Sequence, residues 1–90
     1  MIKCKLKVEN TLGIHVRPAG YIANIASAAQ SSVELVYSEQ RVNAKSILNL
    51  MMLVVEPGAE VEFFINGPDE QEVKEKLTEL FKNKFNEDAA

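Results

Sequence analysis

The residues of this chain whose types and spacing could do chemistry stand in the stretch NTLGIHVRPAG, where His15 precedes Arg17 by two positions and Pro18 by three. His15 is the only histidine in the sequence. Ala19, Ile22, Ala23 and Ala26 follow at helical spacing, and Pro18 suits a first helical turn, so His15 falls at or just before a helix start. The first amide N–H groups of a helix have no partner within it and its dipole is positive there, which stabilises an anion. Arg17 adds a planar guanidinium matched to phosphate. The same positive field favours the neutral, nucleophilic form of an imidazole. Together these groups suit reversible phosphorylation of a ring nitrogen. Spacing alone leaves a plainer alternative open, with His15 a helix cap and Arg17 a solvated charge. Acid–base catalysis is disfavoured, because there is no second histidine and no carboxylate close in sequence.

A second stretch, VNAKSILNLMML, carries Ser46 immediately before an apolar run. Serine is a natural N-cap, and capping alone would account for it. A helix of Ile47, Leu48, Leu50, Met51, Met52 and Leu53 with only Asn49 polar cannot bury every side in a two-layer domain. Leu50 and Leu53 are expected in the core, and Ile47, Leu48 and Met51 in an exposed patch of the kind that docks a partner.

Charge distribution sharpens both readings. The net charge is −3, yet residues 1–55 carry six basic side chains against three acidic ones, and residues 56–90 carry four against ten. No carboxylate lies between Asn10 and Val33, nor between Arg41 and Val55. Anionic groups or acidic partners fit those stretches. One cysteine, Cys4, excludes an intramolecular disulfide, and one cysteine with one histidine excludes a structural zinc site. No metal or cofactor is expected. The start of the chain alternates rather than forming a signal-peptide core, and no apolar run is long enough to span a bilayer, so a cytoplasmic protein without membrane insertion is expected.

The elements that must position these residues follow from periodicity. Ninety residues with 47% apolar and 26% charged content suit one domain over 1–90. Ile2, Cys4, Leu6 and Val8 alternate with lysines in a first strand, and a helix follows over about 16–28. Val33, Leu35 and Tyr37 mark a second strand, Ser38 and Glu39 a turn, and 41–43 a short third strand, forming a hairpin. A short helix is expected over about 47–53 and a strand carrying Val61, Phe63 and Ile65. Asp69 and Glu72 have the spacing of a capping box, before a helix that buries Val73, Leu77, Leu80 and Phe81 and runs to about Lys84. The tail, about 86–90, is expected to fray. The order β-α-β-β-α-β-α gives an α+β fold, one sheet with helices on one face. The lysine row of strand one and Glu60 and Glu62 of strand four predict that these strands are neighbours.

GIHVRPA, VNAKSILNLMML and GPDEQEV, in this order and spacing, resemble HPr, the histidine-containing phosphocarrier family of the bacterial phosphoenolpyruvate-dependent phosphotransferase system. The resemblance spans essentially the whole chain. It implies an open-faced β-sandwich, a four-stranded antiparallel sheet in the order 1-4-2-3 with three helices on one face, and a phosphocarrier rather than an enzyme. It implies that His15 accepts a phosphoryl group on Nδ1 from enzyme I and passes it to A-type receiver proteins. Arg17 and the amides of Val16 and Arg17 would hold the phosphate, with Gly20, Ile47, Leu48 and Met51 in the docking surface. Ser46 matches a serine phosphorylated by an ATP-dependent kinase in many members. A monomer that binds no nucleic acid is expected. The chain departs from the family pattern with Val16 in place of alanine, Gly20 inside the helix, Asn24 and Ser27 where a further basic residue is common, and Val54 in place of glycine. A mainly regulatory member of the family, acting through Ser46 or in nitrogen-type signalling, is one alternative; a small phosphate-handling hydrolase is another.

Overall fold

A computed structural model describes residues 1–86 of the chain. Its elements are β1 (Ile2–Lys7), α1 (Val16–Ala28), β2 (Ser32–Tyr37), β3 (Gln40–Asn43), α2 (Ile47–Met52), β4 (Glu60–Asn66) and α3 (Glu70–Lys82), followed by a single 3-10 turn, Lys84–Asn86. The strands form one antiparallel sheet in the order β1-β4-β2-β3. Three helices and a four-stranded sheet in this order are the open-faced sandwich that the family resemblance implied, and the adjacency of β1 and β4 is the one read from the charge rows.

Alternation explains the sheet. Cys4, Val33, Leu35, Val61, Phe63 and Ile65 are buried on the helix side, while Lys3, Lys5 and Lys7 stand exposed on the other. Lys5 lies opposite Glu62 and Lys7 opposite Glu60, as the two charge rows predicted. Lys3 instead faces Phe64, whose ring lies 5.5 Å from the Lys3 ammonium and 4.6 Å from the Arg41 guanidinium carbon. Cation–π contacts thus cover the half-buried aromatic ring on the open face. Between β2 and β3 the chain turns through Ser38 and Glu39, at φ 52° and 66°, the left-handed pair that a two-residue hairpin requires.

The core joins this sheet to the amphipathic faces of the helices. α1 buries Pro18, Ala19, Ile22, Ala23 and Ala26; α3 buries Val73, Leu77, Leu80 and Phe81. The Phe81 ring meets Phe63 edge-on at 5.7 Å and Phe85 at 4.6 Å.

Two local expectations are corrected. The last long helix ends at Lys82 rather than about Lys84, because Lys84 and Phe85 turn left-handed and fold the buried Phe85 ring back onto Phe81. The capping box of Asp69 and Glu72 does not form. The Asp69 side chain makes no cap bond to α3; its oxygens are taken by the amides of Gln30 and Ser31 and by the Ser31 hydroxyl. Glu72 pairs with Lys76 at 3.1 Å, and it is Glu70 that reaches back, accepting from the Gly67 amide at 3.1 Å. Of the tail expected to fray, about 86–90, Asn86 closes the 3-10 turn and 87–90 lie outside the described residues.

No described helix is long and apolar enough to cross a membrane. Among the described residues, no group of three or more His, Cys, Asp or Glu could hold a metal ion.

Candidate functional site

The loop that presents His15 is built from Asn10 onward. Asn10, almost fully buried, donates its side-chain amide to the Gly13 carbonyl at 2.8 Å and closes the turn. Gly13 adopts φ +74°, and a Cβ there would stand 2.3 Å from the Val55 carbonyl oxygen. Only glycine permits that approach. The next amide, of Ile14, then donates to the same Val55 carbonyl at 3.0 Å, and the Ile14 side chain enters the core. His15 is thus anchored from behind by the segment that leaves α2.

His15 is the N-cap residue of α1, with extended backbone (φ −111°, ψ −160°), and its carbonyl accepts from the Ala19 amide at 2.9 Å. Its side chain makes no cap hydrogen bond. The imidazole is therefore not spent on the helix end, which was the plainer reading of the sequence. Pro18 has no N–H and the Ala19 amide is satisfied, so the helix-start amides without an intrahelical partner are those of Val16 and Arg17. The first turn contains no acidic residue. Arg17 is exposed and makes no ion pair among the described residues. The His15 residue is half-buried with its Nε2 closed off from solvent.

Ser46 is the N-cap of α2: its hydroxyl accepts from the Asn49 amide at 3.2 Å and its carbonyl from the Leu50 amide at 3.1 Å. The Ser27 hydroxyl of α1 reaches the neighbouring Lys45 carbonyl at 3.5 Å. Ser46 therefore stands by the later turns of α1, and the far end of α2 leads into the Val55 anchor beneath His15. The six residues of α2, about 9 Å along its axis, separate Ser46 from the segment that anchors the His15 loop.

Between them lies the apolar patch. Leu50 and Leu53 are buried; Ile47, Leu48 and Met51 are exposed, Leu48 to 70%, and Gly20 is half-exposed on α1. The split predicted for this helix is the one observed. Met52, Leu12, Val16 and Val54 also expose large apolar surface. Sequence reasoning did not place Leu12, Met52 or Val54 in the patch, since periodicity does not describe a turn or a helix end.

The chain matches the model of the family described as PTS HPr component phosphorylation site over residues 2–83. This chain belongs to the HPr family of phosphocarriers. Among its relatives, HPr of Treponema pallidum is 40% identical over 98% of this chain and the whole of the relative. HPr of Xylella fastidiosa strain Temecula1 is 39% identical over 98% of this chain and 99% of its own. The crystal structure of HPr-C-His from Thermoanaerobacter tengcongensis superposes with a TM-score of 0.93 at 34% identity, covering 98% and 99% of the two chains. Crh of Bacillus subtilis, a catabolite repression protein described as a swapped, intertwined dimer, is 38% identical with a TM-score of 0.72 over 93% and 97%. HPr proteins are phosphorylated, non-catalytic components of the phosphotransferase system, so the hydrolase alternative falls.

Proposed function

We propose that His15 carries the phosphoryl group, taking it from phospho-enzyme I and handing it to A-type receiver domains. His15 is the one histidine the chain offers for this role. The observation that carries the assignment is its placement: an N-cap residue whose ring is not used in capping, beside the amides of Val16 and Arg17, with Nε2 buried. The Nδ1 lone pair attacks the donor's phosphorus, the donor's N–P bond breaks, and its electron pair returns to the donor ring. The reverse step, with a receiver's nucleophile attacking, restores the neutral imidazole. Arg17 and the two amides neutralise charge on the phosphoryl oxygens, and their strength is moderate enough to release the group.

The docking surface comprises Gly20, Ile47, Leu48 and Met51. The acid-free stretches around it suit acidic partners. Ser46 is the regulatory position: a kinase-borne phosphate there adds about −2 charge beside a surface that partners read as neutral to positive. The chain acts as one domain and as a monomer. The identity shared with Crh favours a second reading, a mainly regulatory paralogue, which retention of a relay-competent His15 opposes.

Incubation with phosphoenolpyruvate and enzyme I tests the assignment. One acid-labile phosphate per chain is expected, and His15→Ala should abolish it. A label that survives the substitution, or no label on the unaltered chain, overturns it.

A further inference from the structure

Seven asparagines are spread along the chain, and Asn66 alone is followed by glycine. An asparagine before glycine is open to a reaction of its own, since no Cβ shields the next backbone nitrogen from the side-chain carbonyl carbon. The fold imposes the glycine. A Cβ at Gly67 would stand 2.5 Å from the Ser31 Cα, so the turn between β4 and α3 passes too close to the junction of α1 and β2 for any side chain. The fold does not impose the asparagine. Asn66 is exposed at the end of β4, and among the described residues its side chain makes no hydrogen bond, while its backbone carbonyl accepts from the Ser32 hydroxyl at 3.3 Å.

The nitrogen that would react is held. The Gly67 amide donates to Glu70 Oε1 at 3.1 Å, and the same carboxylate oxygen pairs with the Met1 ammonium at 3.1 Å. The Gly67 amide, and after it the ammonium, keep the Glu70 carboxyl below its ordinary value. Such a carboxylate is a poor base for removing the amide proton and a good acceptor for keeping it in place. We propose that Asn66 is a site of spontaneous deamidation that Glu70 restrains. In the reaction the Gly67 nitrogen gives its proton to solvent and bonds to the Asn66 side-chain carbonyl carbon. The bond from that carbon to the side-chain nitrogen breaks, and ammonia leaves behind a succinimide ring. Water then opens the ring at either carbonyl, giving aspartate or, with the chain rerouted through the former side chain, isoaspartate. Both products place a new carboxylate close in sequence to Asp69 and Glu70, and isoaspartate inserts an extra backbone atom where Gly67 packs on Ser31. The contacts of Asp69 with Gln30 and Ser31, made from the same turn, then lose their spacing.

Prolonged incubation of the full chain at neutral pH in water enriched in heavy oxygen, followed by peptide mass mapping, tests both the site and its restraint. Heavy oxygen should enter the peptide that holds Asn66, which should also become a substrate for methylation by a protein isoaspartyl methyltransferase, and Asn66→Gln should abolish both signals. Glu70→Ala frees the Gly67 amide and should raise the rate roughly fivefold, the factor carried by one typical net hydrogen bond. Ile22→Val trims the core within α1 and leaves the turn intact, so its rate should stay close to that of the unaltered chain. Absence of heavy oxygen at Asn66, or equal labelling at the other asparagines, overturns the site. An unchanged or lower rate in Glu70→Ala overturns the restraint, as does an equal rise in Ile22→Val, because opening of the whole fold then sets the pace.

Discussion

The Asp69 carboxylate closes over the backbone of Ser31, 38 positions away in sequence. Its Oδ1 accepts from the Ser31 amide at 2.9 Å and from the Ser31 hydroxyl at 2.5 Å, while Oδ2 accepts from the Gln30 amide at 2.9 Å. This ties the junction of α1 and β2 to the start of α3. The Ser31 hydroxyl, and after it the Gln30 amide, hold the Asp69 carboxyl below its ordinary value. A carboxyl that is a stronger acid when folded stabilises the fold fully above the unfolded value, near pH 4, and loses that contribution as pH falls through the lower folded value. Asp69→Asn should lower the thermal midpoint at pH 7 and flatten the acid limb of a midpoint-against-pH curve. An acid limb identical to that of the unaltered chain would contradict the tie.

Gly13 should tolerate no side chain. Gly13→Ala brings a methyl group onto the Val55 carbonyl and forces a left-handed alanine, at a cost of roughly 2–4 kcal/mol. Denaturant unfolding measures the loss. Because the Ile14–Val55 bond holds the His15 loop, phosphorylation should slow even where the variant remains folded.

Gly20→Ala should stabilise the chain by about 1 kcal/mol, since the helix gains propensity and the new methyl meets open space. Urea midpoints at constant slope would register the gain. No gain would mean that this position answers to some constraint within the fold.

Ser46 separates its two roles by substitution. Ser46→Ala removes the acceptor for the Asn49 amide and should cost about 1 kcal/mol, whereas Ser46→Asp keeps an acceptor and should preserve stability. Only the aspartate should slow the phosphorylation of His15, through charge placed on the partner's path. Equal rates for the aspartate variant and the unaltered chain would reduce Ser46 to a cap.

What was legible in the sequence was what repeats. The lysines of β1 and the glutamates of β4 announced their pairing because a strand shows every second residue on one face. The division of α2 into buried Leu50 and Leu53 and exposed Ile47, Leu48 and Met51 followed from the same reasoning at helical period. Bonds between distant positions carry no such rhythm. Asp69 and Glu72 matched a local capping pattern, yet Asp69 serves a turn that sequence proximity could not indicate. Val54 and Phe85 are left-handed without being glycine, so their types gave no sign of the chain reversals they occupy. At the candidate site, His15 and Arg17 were singled out by their chemistry, while the exposure of Leu12, Met52 and Val54 emerged only from the structure.

The sheet has two outer strands, β1 and β3, and both bear cations: Lys3, Lys5 and Lys7 on one, Arg41 on the other. Two copies meeting edge to edge would set like charges against each other just where unpaired backbone groups would otherwise invite a continuous ladder. Self-pairing of the sheet edges is in this way discouraged, and the discouragement weakens as salt screens it.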